Sequence, residues 1–279
     1  MRFAEALAAA RAALSGSPTA ALDARVLLGC AAGLDRAQLI ARERDAIGDL
    51  AADYAALVDR RAAGEPVAYI TGEQEFFGLP FKVNPDVLIP RPESEMLVEA
   101  AIAAKPSAFL DLGTGSGCLL IAALNALPQA AGLGIDISDA ALGIAQANAQ
   151  HLGVEGRAQW LRTTFRQVAT ELTHGPFDVI LANPPYIPEG TDLPQSVQGF
   201  EPHSALFSGR DGLQAHHEVA QVIAAKLKNS GAAFIEIGSD QGEAASELYS
   251  AALPHHHVSL HRDGAGLPRM LAVHGQSGL

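Results

Sequence analysis

The segment Asp178 to Ile187, DVILANPPYI, starts as a run suited to a buried strand and then breaks that pattern. Val179 to Ala182 are apolar, and Asn183, Pro184, Pro185 and Tyr186 follow in a row. These residue types could handle an amide or aromatic NH2 group. Such a nitrogen has a delocalised lone pair and is a poor nucleophile. A site that makes it react must hold it and draw electron density toward nitrogen. The Asn183 carboxamide oxygen can accept one of its protons and the Pro184 carbonyl the other. Proline at 184 and 185 fixes φ and so stiffens the aim of that carbonyl. Tyr186 offers a flat face for a planar amide or base. A capping asparagine on a rigid Pro-Pro loop is the plain alternative for these four residues taken alone.

A second cluster lies upstream. In FLDLGTGSGCLLIAAL, Gly113, Gly115 and Gly117 fall at a strand-to-helix turn preceded by Asp111. Glycine allows the tight turn and lets backbone approach a ligand closely. The spacing is G-x-G-x-G, one residue shorter than the dinucleotide fingerprint. The shorter form suits a nucleoside ligand without phosphate, such as S-adenosylmethionine, whose methyl would emerge beside Asn183. One strand later, LGIDIS ends in Asp136, which can accept hydrogen bonds from two ribose hydroxyls. A tight βα turn and a helix cap are the plain readings here, and the combination with Asn183-Pro-Pro-Tyr argues against them.

These residues need strand ends to hold them. From about residue 92 the pattern alternates helix and strand: helix over 93–104, strand over 108–112, helix over 118–127, strand over 133–137 and helix over 140–152. Strand over 177–182, helix over 212–228, strand over 232–237 and helix over 241–252 follow, and 256–261 with 268–273 suggest a closing hairpin. Such alternation predicts an α/β fold, a mostly parallel sheet with helices on both faces. Residues 1–65 read as a small helical bundle, with Ser17-Pro18 as a start signal and Leu22, Val26 and Leu27 at helical spacing. Leu50, Tyr54, Leu57 and Val58 share a face of a later helix. Residues 66–90 read as a β-hairpin linker, with β-like pieces at 67–70, 75–77 and 81–83 among Gly and Pro. The methyl-transfer residues fall in the remainder, 91–279.

Composition narrows the class. The chain has 279 residues, 48% of them hydrophobic, and a net charge of −12. Neither the first 90 residues nor the rest carries a basic excess, which weighs against a nucleic-acid partner. No apolar run reaches the ~18 residues a membrane span needs. Glu5 and Arg11 interrupt the Ala-rich start, which reads as a helix rather than a signal peptide. Cys30 and Cys118 are far apart, consistent with free thiols in the cytoplasm. His255-His256-His257 cannot converge on a metal from one strand. His216-His217 lacks an i+4 partner, so no metal site is expected. Glu201 and His203 are read as pocket-shaping residues, and Glu236 carries no assigned role.

Taken together, GEPVAYITGEQEFFGLPFKVNPDVLIPRPESE, DLGTGSG, NPPY, FEPHSALFSGRDGL and RDGAGLPR make the chain resemble the HemK/PrmC family of protein-(glutamine-N5) methyltransferases. That family modifies the GGQ glutamine of peptide chain release factors. The resemblance covers nearly the whole chain. It implies a class I (Rossmann-like) adenosylmethionine-dependent domain with a C-terminal β-hairpin, preceded by the helical bundle and the hairpin linker. It implies that Gly113, Thr114, Gly115, Ser116 and Gly117 cradle the cofactor, that Asp136 holds its ribose, and that Thr164 borders its adenine. Asn183 would touch both cofactor and glutamine. Pro184, Pro185 and Tyr186 would shape the glutamine pocket, with Arg91 at its mouth. Asn183, Pro184 and Tyr186 would carry the chemistry, leaving S-adenosylhomocysteine. Residues 1–65 would help grip the release factor.

One departure stands out. Where the family shows an acidic and an aromatic or apolar residue around the adenine, WLRTTFRQV places Thr163 and Thr164. This predicts modest cofactor affinity, tightened by Thr163→Asp. Competing functions are a DNA or RNA amino-methyltransferase of the adenine-N6 type, a non-catalytic release-factor adapter, and a nicotinamide oxidoreductase. The acidic balance, the intact NPPY with Asp136, and the glycine spacing argue against them in turn.

Overall fold

The computed structural model describes residues 1–275; residues 276–279, the end of the expected 91–279 domain, lie outside the described residues. The described residues form two compact units, one of residues 1–73 with 193–200, the other of residues 74–192 with 201–275.

The first unit is helical. Phe3–Ala13, Ala20–Ala32, Arg36–Ala41 and Leu50–Ala62 surround a core that includes Phe3, Leu27, Leu28, Tyr54 and Val58. The helix at 20–32 begins after Thr19, not at Ser17-Pro18, because the Ser17 hydroxyl is engaged elsewhere. It donates to Asp23 and receives Arg61. Asp23 is buried and Arg61 Nε meets it at 2.8 Å, so this ion pair is desolvated and its two partners depend on each other. The same helix turns Leu27 and Leu28 inward and leaves Leu22 and Val26 outward, 58% and 40% exposed. Residues 195–198 form a helical turn in this unit, near Gly64.

The expected β piece at 67–70 is a helix, Val67–Thr71. Pro66 precedes its first turn, and Gly72 closes it at φ +76°. Those two residues set the local backbone, and burial of Ala68, Tyr69 and Ile70 does the rest. A two-stranded sheet follows, β1 (Glu73–Phe76) and β2 (Leu79–Lys82). The expected 66–90 linker is therefore divided. Residues 66–73 fold with the helices, and 74–90 fold with the second unit.

The second unit is built on a seven-stranded sheet of β3 (Ala108–Leu112), β4 (Ala131–Asp136), β5 (Ala158–Arg162), β6 (Phe177–Ala182), β7 (Leu227–Glu236), β8 (His256–Arg262) and β9 (Pro268–Gly275). The order across the sheet is β5-β4-β3-β6-β7-β9-β8. The pairs from β5 to β7 are parallel, and β9 runs antiparallel to both β7 and β8.

Strand alternation divides the apolar residues between two cores. Phe109, Val179, Leu181 and Phe234 face one side, with Leu97 and Leu120 from the helices Glu95–Ala103 and Cys118–Ala126. Leu110, Leu112, Ile180, Ala233 and Ile235 face the other, with Val219 and Ile223 of Gln214–Lys226 and Tyr249 of Gly242–Ala252. β3 has β4 on one side and β6 on the other, so the chain changes direction there. A crevice opens beyond the carboxyl ends of strands at such a point.

Candidate active site

A cavity of about 550 Å³ lies at that crevice and draws on the turn after β3, the end of β4 and the end of β6. Its size falls within the ~300–1,000 Å³ common for small-ligand sites. Gly113, Thr114, Gly115, Ser116, Asp136, Thr164, Asn183, Pro185 and Arg91 all border it. Gly117, Pro184 and Tyr186 do not.

The glycine turn is held from beneath. Thr114 N–H donates to the Ile135 carbonyl at 2.9 Å, and its hydroxyl donates to Asp111 at 2.5 Å. Asp111 is fully buried, and its Oδ1 has no hydrogen-bond partner. Burial pushes its carboxyl up to about 7. Asp136 accepts from Gly115 N–H at 3.0 Å and from Ser138 N–H at 2.9 Å, which ties the end of β4 to the turn.

Gly117 belongs to this framework rather than to the cavity wall. Its φ is +81°, its N–H is engaged by the Thr114 carbonyl, and a Cβ there would lie 2.7 Å from Ile121. It lets the helix start directly against its neighbours.

The two threonines expected near the adenine are placed differently from each other. Thr163 does not border the cavity. Thr164 does, but its hydroxyl caps the helix Phe165–Glu171 by accepting from Gln167 N–H at 3.2 Å. The aromatic wall comes one residue later, from Phe165, whose ring lies against Gly113. The capping hydroxyl fixes the chain at 164 and thereby turns 165 inward.

At the end of β6, Asn183 is half-buried. Its Nδ2 donates to Ser94 Oγ at 3.2 Å, while its Oδ1 and the Pro184 carbonyl accept no hydrogen bond among the described residues. Ser94 donates in turn to the Glu236 carboxylate, and the Tyr186 hydroxyl donates to the other Glu236 oxygen at 3.3 Å. Tyr186 thus directs its hydroxyl to Glu236 and does not border the cavity. Burial pushes the Glu236 carboxyl up, while the Ser94 hydrogen bond, the Arg269 charge and the Tyr186 hydrogen bond pull it down.

Gln241 holds the Tyr186 carbonyl at 2.8 Å, and Gly212 passes against the same carbonyl. Arg91 is clamped by Glu201 at 2.5 Å, and Glu201 also accepts from Ile89 N–H at 3.1 Å. Glu201 shapes the mouth by holding Arg91 and is not part of the cavity wall. His203 stacks on Phe207, ring centroids 4.4 Å apart.

Sequence reasoning missed Ser94, Phe165 and the part played by Glu236. Ser94 resembles a helix cap, but its side chain makes no capping bond. A carboxylate inside the apolar run FIEIG was the available signal for Glu236.

The charged groups on the wall are Asp86, Asp136, Glu189, Glu218 and one cation, Arg91, which is already paired. That set fits a cationic sulfonium with a ribose diol, and Gly113 and Gly115 leave room for it along the turn. It does not fit a pyrophosphate. No group of three or more His, Cys, Asp or Glu side chains suited to a metal occurs among the described residues.

Comparison with known proteins agrees in extent. Residues 5–72 match the PrmC N-terminal domain family and residues 92–206 the methyltransferase small domain family. The release factor glutamine methyltransferase of Cereibacter sphaeroides is 42% identical over 257 residues, covering 90% of this chain and 91% of that protein. The protein of the same name from Moorella thermoacetica is 40% identical over 266 residues, 93% of each. Among solved structures, the hMettl16 catalytic domain in complex with MAT2A 3'UTR hairpin 6 superposes with a TM-score of 0.53. It is 16% identical and covers 78% of this chain and 81% of that one, a likeness of fold.

Proposed function

The chain belongs to the release factor glutamine methyltransferase family, and on that premise we propose that it transfers a methyl group from S-adenosylmethionine to the side-chain N5 of the GGQ glutamine of peptide chain release factors. The observation that carries this reading is the pair of free acceptors at the tip of β6, Asn183 Oδ1 and the Pro184 carbonyl, beside a cavity of fitting size and charge.

Gly113, Gly115 and Ser116 would line the cofactor, Asp136 would accept from its ribose hydroxyls, and Phe165 and Thr164 would border its adenine. The cofactor, when bound, supplies an electrophilic methyl on a sulfonium. The protein's own contribution is orientation. Asn183 Oδ1 and the Pro184 carbonyl each take one N–H of the substrate carboxamide, which fixes the nitrogen and enriches it in electron density. Positioning of this kind is worth several kcal/mol, up to ~7–11 in the best oriented cases. No strong base is required, because an N-alkylated amide cation is acidic enough to lose its proton to water. We read the chemistry as metal-free for the same reason: the nitrogen needs alignment rather than a Lewis acid.

The helical unit, matched over residues 5–72 by the PrmC N-terminal domain family, is the proposed grip on the release factor, and the outward Leu22 and Val26 offer it apolar surface. A cytoplasmic setting accords with that substrate and with two free cysteines. No helix among the described residues is long and apolar enough to cross a membrane.

Mass spectrometry tests the reading. A GGQ-bearing release factor incubated with the protein and S-adenosylmethionine should gain the mass of one CH2 on that glutamine. Asn183→Ala should lower the rate by ~100-fold or more, the effect of removing one group of a preorganised site. An unmodified glutamine with cofactor demonstrably bound would end the proposal.

A further inference from the structure

A carboxamide has two ends of nearly the same shape, an oxygen that accepts and an NH2 that donates. For Asn183 to hold a substrate NH2, the oxygen must face the cavity. If the group turned over, NH2 would meet NH2. Something must therefore fix which end points outward, and steric fit cannot do it.

The order of protons behind Asn183 can. Glu236 is 1% exposed and sits at the end of β7. One of its oxygens receives the Ser94 proton and the other the Tyr186 proton. Burial raises the Glu236 carboxyl; the two hydroxyl donors and the positive charge of Arg269 on β9 act against it and favour the ionised form. A hydroxyl has a single proton. Once Ser94 gives that proton to Glu236, Ser94 Oγ can only accept from Asn183, and only the Nδ2 end of the amide can donate to it. Oδ1 is thereby left to face the cavity.

Ser94 comes from the short turn Pro92–Ser94, Asn183 from the end of β6 and Glu236 from β7. We propose, resting on the amide-methylating reading of the site, that Ser94 and Glu236 are positioning residues that lock the Asn183 carboxamide with its oxygen toward the substrate nitrogen.

Glu236→Gln is the sharpest test, because it keeps the shape and reverses the logic. Glutamine can accept from Tyr186 through its oxygen and must then donate its own NH2 to Ser94 Oγ. Ser94 is freed to donate to Asn183, which favours the flipped amide. The expected result is kcat lowered ~10–100-fold, the scale of one charge-assisted hydrogen bond. The variant should still unfold in one cooperative transition, and its S-adenosylmethionine Kd should stay near that of the wild type. Ser94→Ala should lose a similar factor, and Ser94→Thr, which keeps the hydroxyl, should recover most of it.

A readout without substrate accompanies these. In the isotope-labelled wild-type protein the Asn183 NH2 protons should show a nuclear Overhauser contact to the Ser94 methylene, and Glu236→Gln should lose it. Unchanged kcat in Glu236→Gln would overturn the proposal, as would a persistent contact in that variant. A loss of activity in Ser94→Ala that tracks lost stability and is not restored by Ser94→Thr would do the same. Failure of the wild-type protein to methylate any GGQ substrate would instead remove the methyltransferase reading, while the Overhauser contact would still report on the lock.

Discussion

At the scale of single residues, the site divides into groups whose chemistry shows in their type and groups whose role depends on a partner. Asn183 and Asp136 are of the first kind, because each is a polar side chain that follows or ends an apolar strand, and their combination with the glycine turn argues against a mere cap. Ser94 and Glu236 are of the second. Nothing in RPESE or FIEIG says that the two meet across 142 positions of sequence. The cavity wall after β5 shows how a neighbouring residue escapes sequence reading. Thr164 borders the cavity while its hydroxyl caps the following helix, and Phe165 borders the cavity beside it. Phe165→Ala should therefore weaken S-adenosylmethionine binding by about tenfold, the scale of losing one aromatic contact and its buried area. Thr163→Asp should leave it unchanged, since that side chain faces Gln167. Titration calorimetry on the two variants distinguishes them, and a gain for Thr163→Asp would put Thr163 at the adenine after all.

At the scale of elements, β3, β4, β6 and β7 were legible because each contains a short apolar run that reaches Gly, Asp or Asn; β5, AQWLR, carries Gln and Arg, shows no such run and went unread. The helix at Val67–Thr71 was not legible, since four apolar residues and a threonine between Pro and Gly carry no periodicity to choose between helix and strand. The loop after β6 was legible only as a motif. Its physical content is the passage of Gly212, at φ +74°, against Tyr186. A Cβ at 212 would stand 2.2 Å from the Tyr186 carbonyl oxygen. Gly212→Ala should cost about 1–3 kcal/mol through backbone strain alone. Moving Tyr186 away from Glu236 should lower activity as well. Urea unfolding checks the first effect, and a variant as stable as wild type would show that the loop accommodates the methyl group.

At the scale of the whole molecule, two buried groups set opposing pH dependences. Burial, and after it the charge of His217, lowers the His216 imidazole from its ordinary 6.5 to about 4; its Nδ1 meets Tyr249 and its Nε2 has no partner. The unfolded chain takes up that proton near 6.5 and the folded chain only near 4, so stability is lost as pH falls through this window. The full effect is about 3 kcal/mol. Asp111, raised from 3.8 to about 7, works the other way, because the folded chain binds its proton first and gains stability as pH falls. The two act in opposite directions, and the stability difference between wild type and His216→Leu isolates the histidine. That difference should shift against the wild type by about 3 kcal/mol between pH 7 and pH 4, and a flat difference in denaturant melts would refute it.

Neither group's effect could be read from sequence, where His216 is one of ten histidines. The division of the chain was likewise only partly readable: the helical start is evident, but its completion by residues 193–200 is not. That return has a practical corollary for anyone dissecting the protein with scissors. A single cut after Glu73 separates neither body cleanly, since the amino-terminal fragment departs without its last piece and the carboxyl-terminal fragment keeps a stranded guest. A faithful separation instead requires excising 193–200, bridging Asp192 to Glu201, and grafting the excised piece back onto the helices.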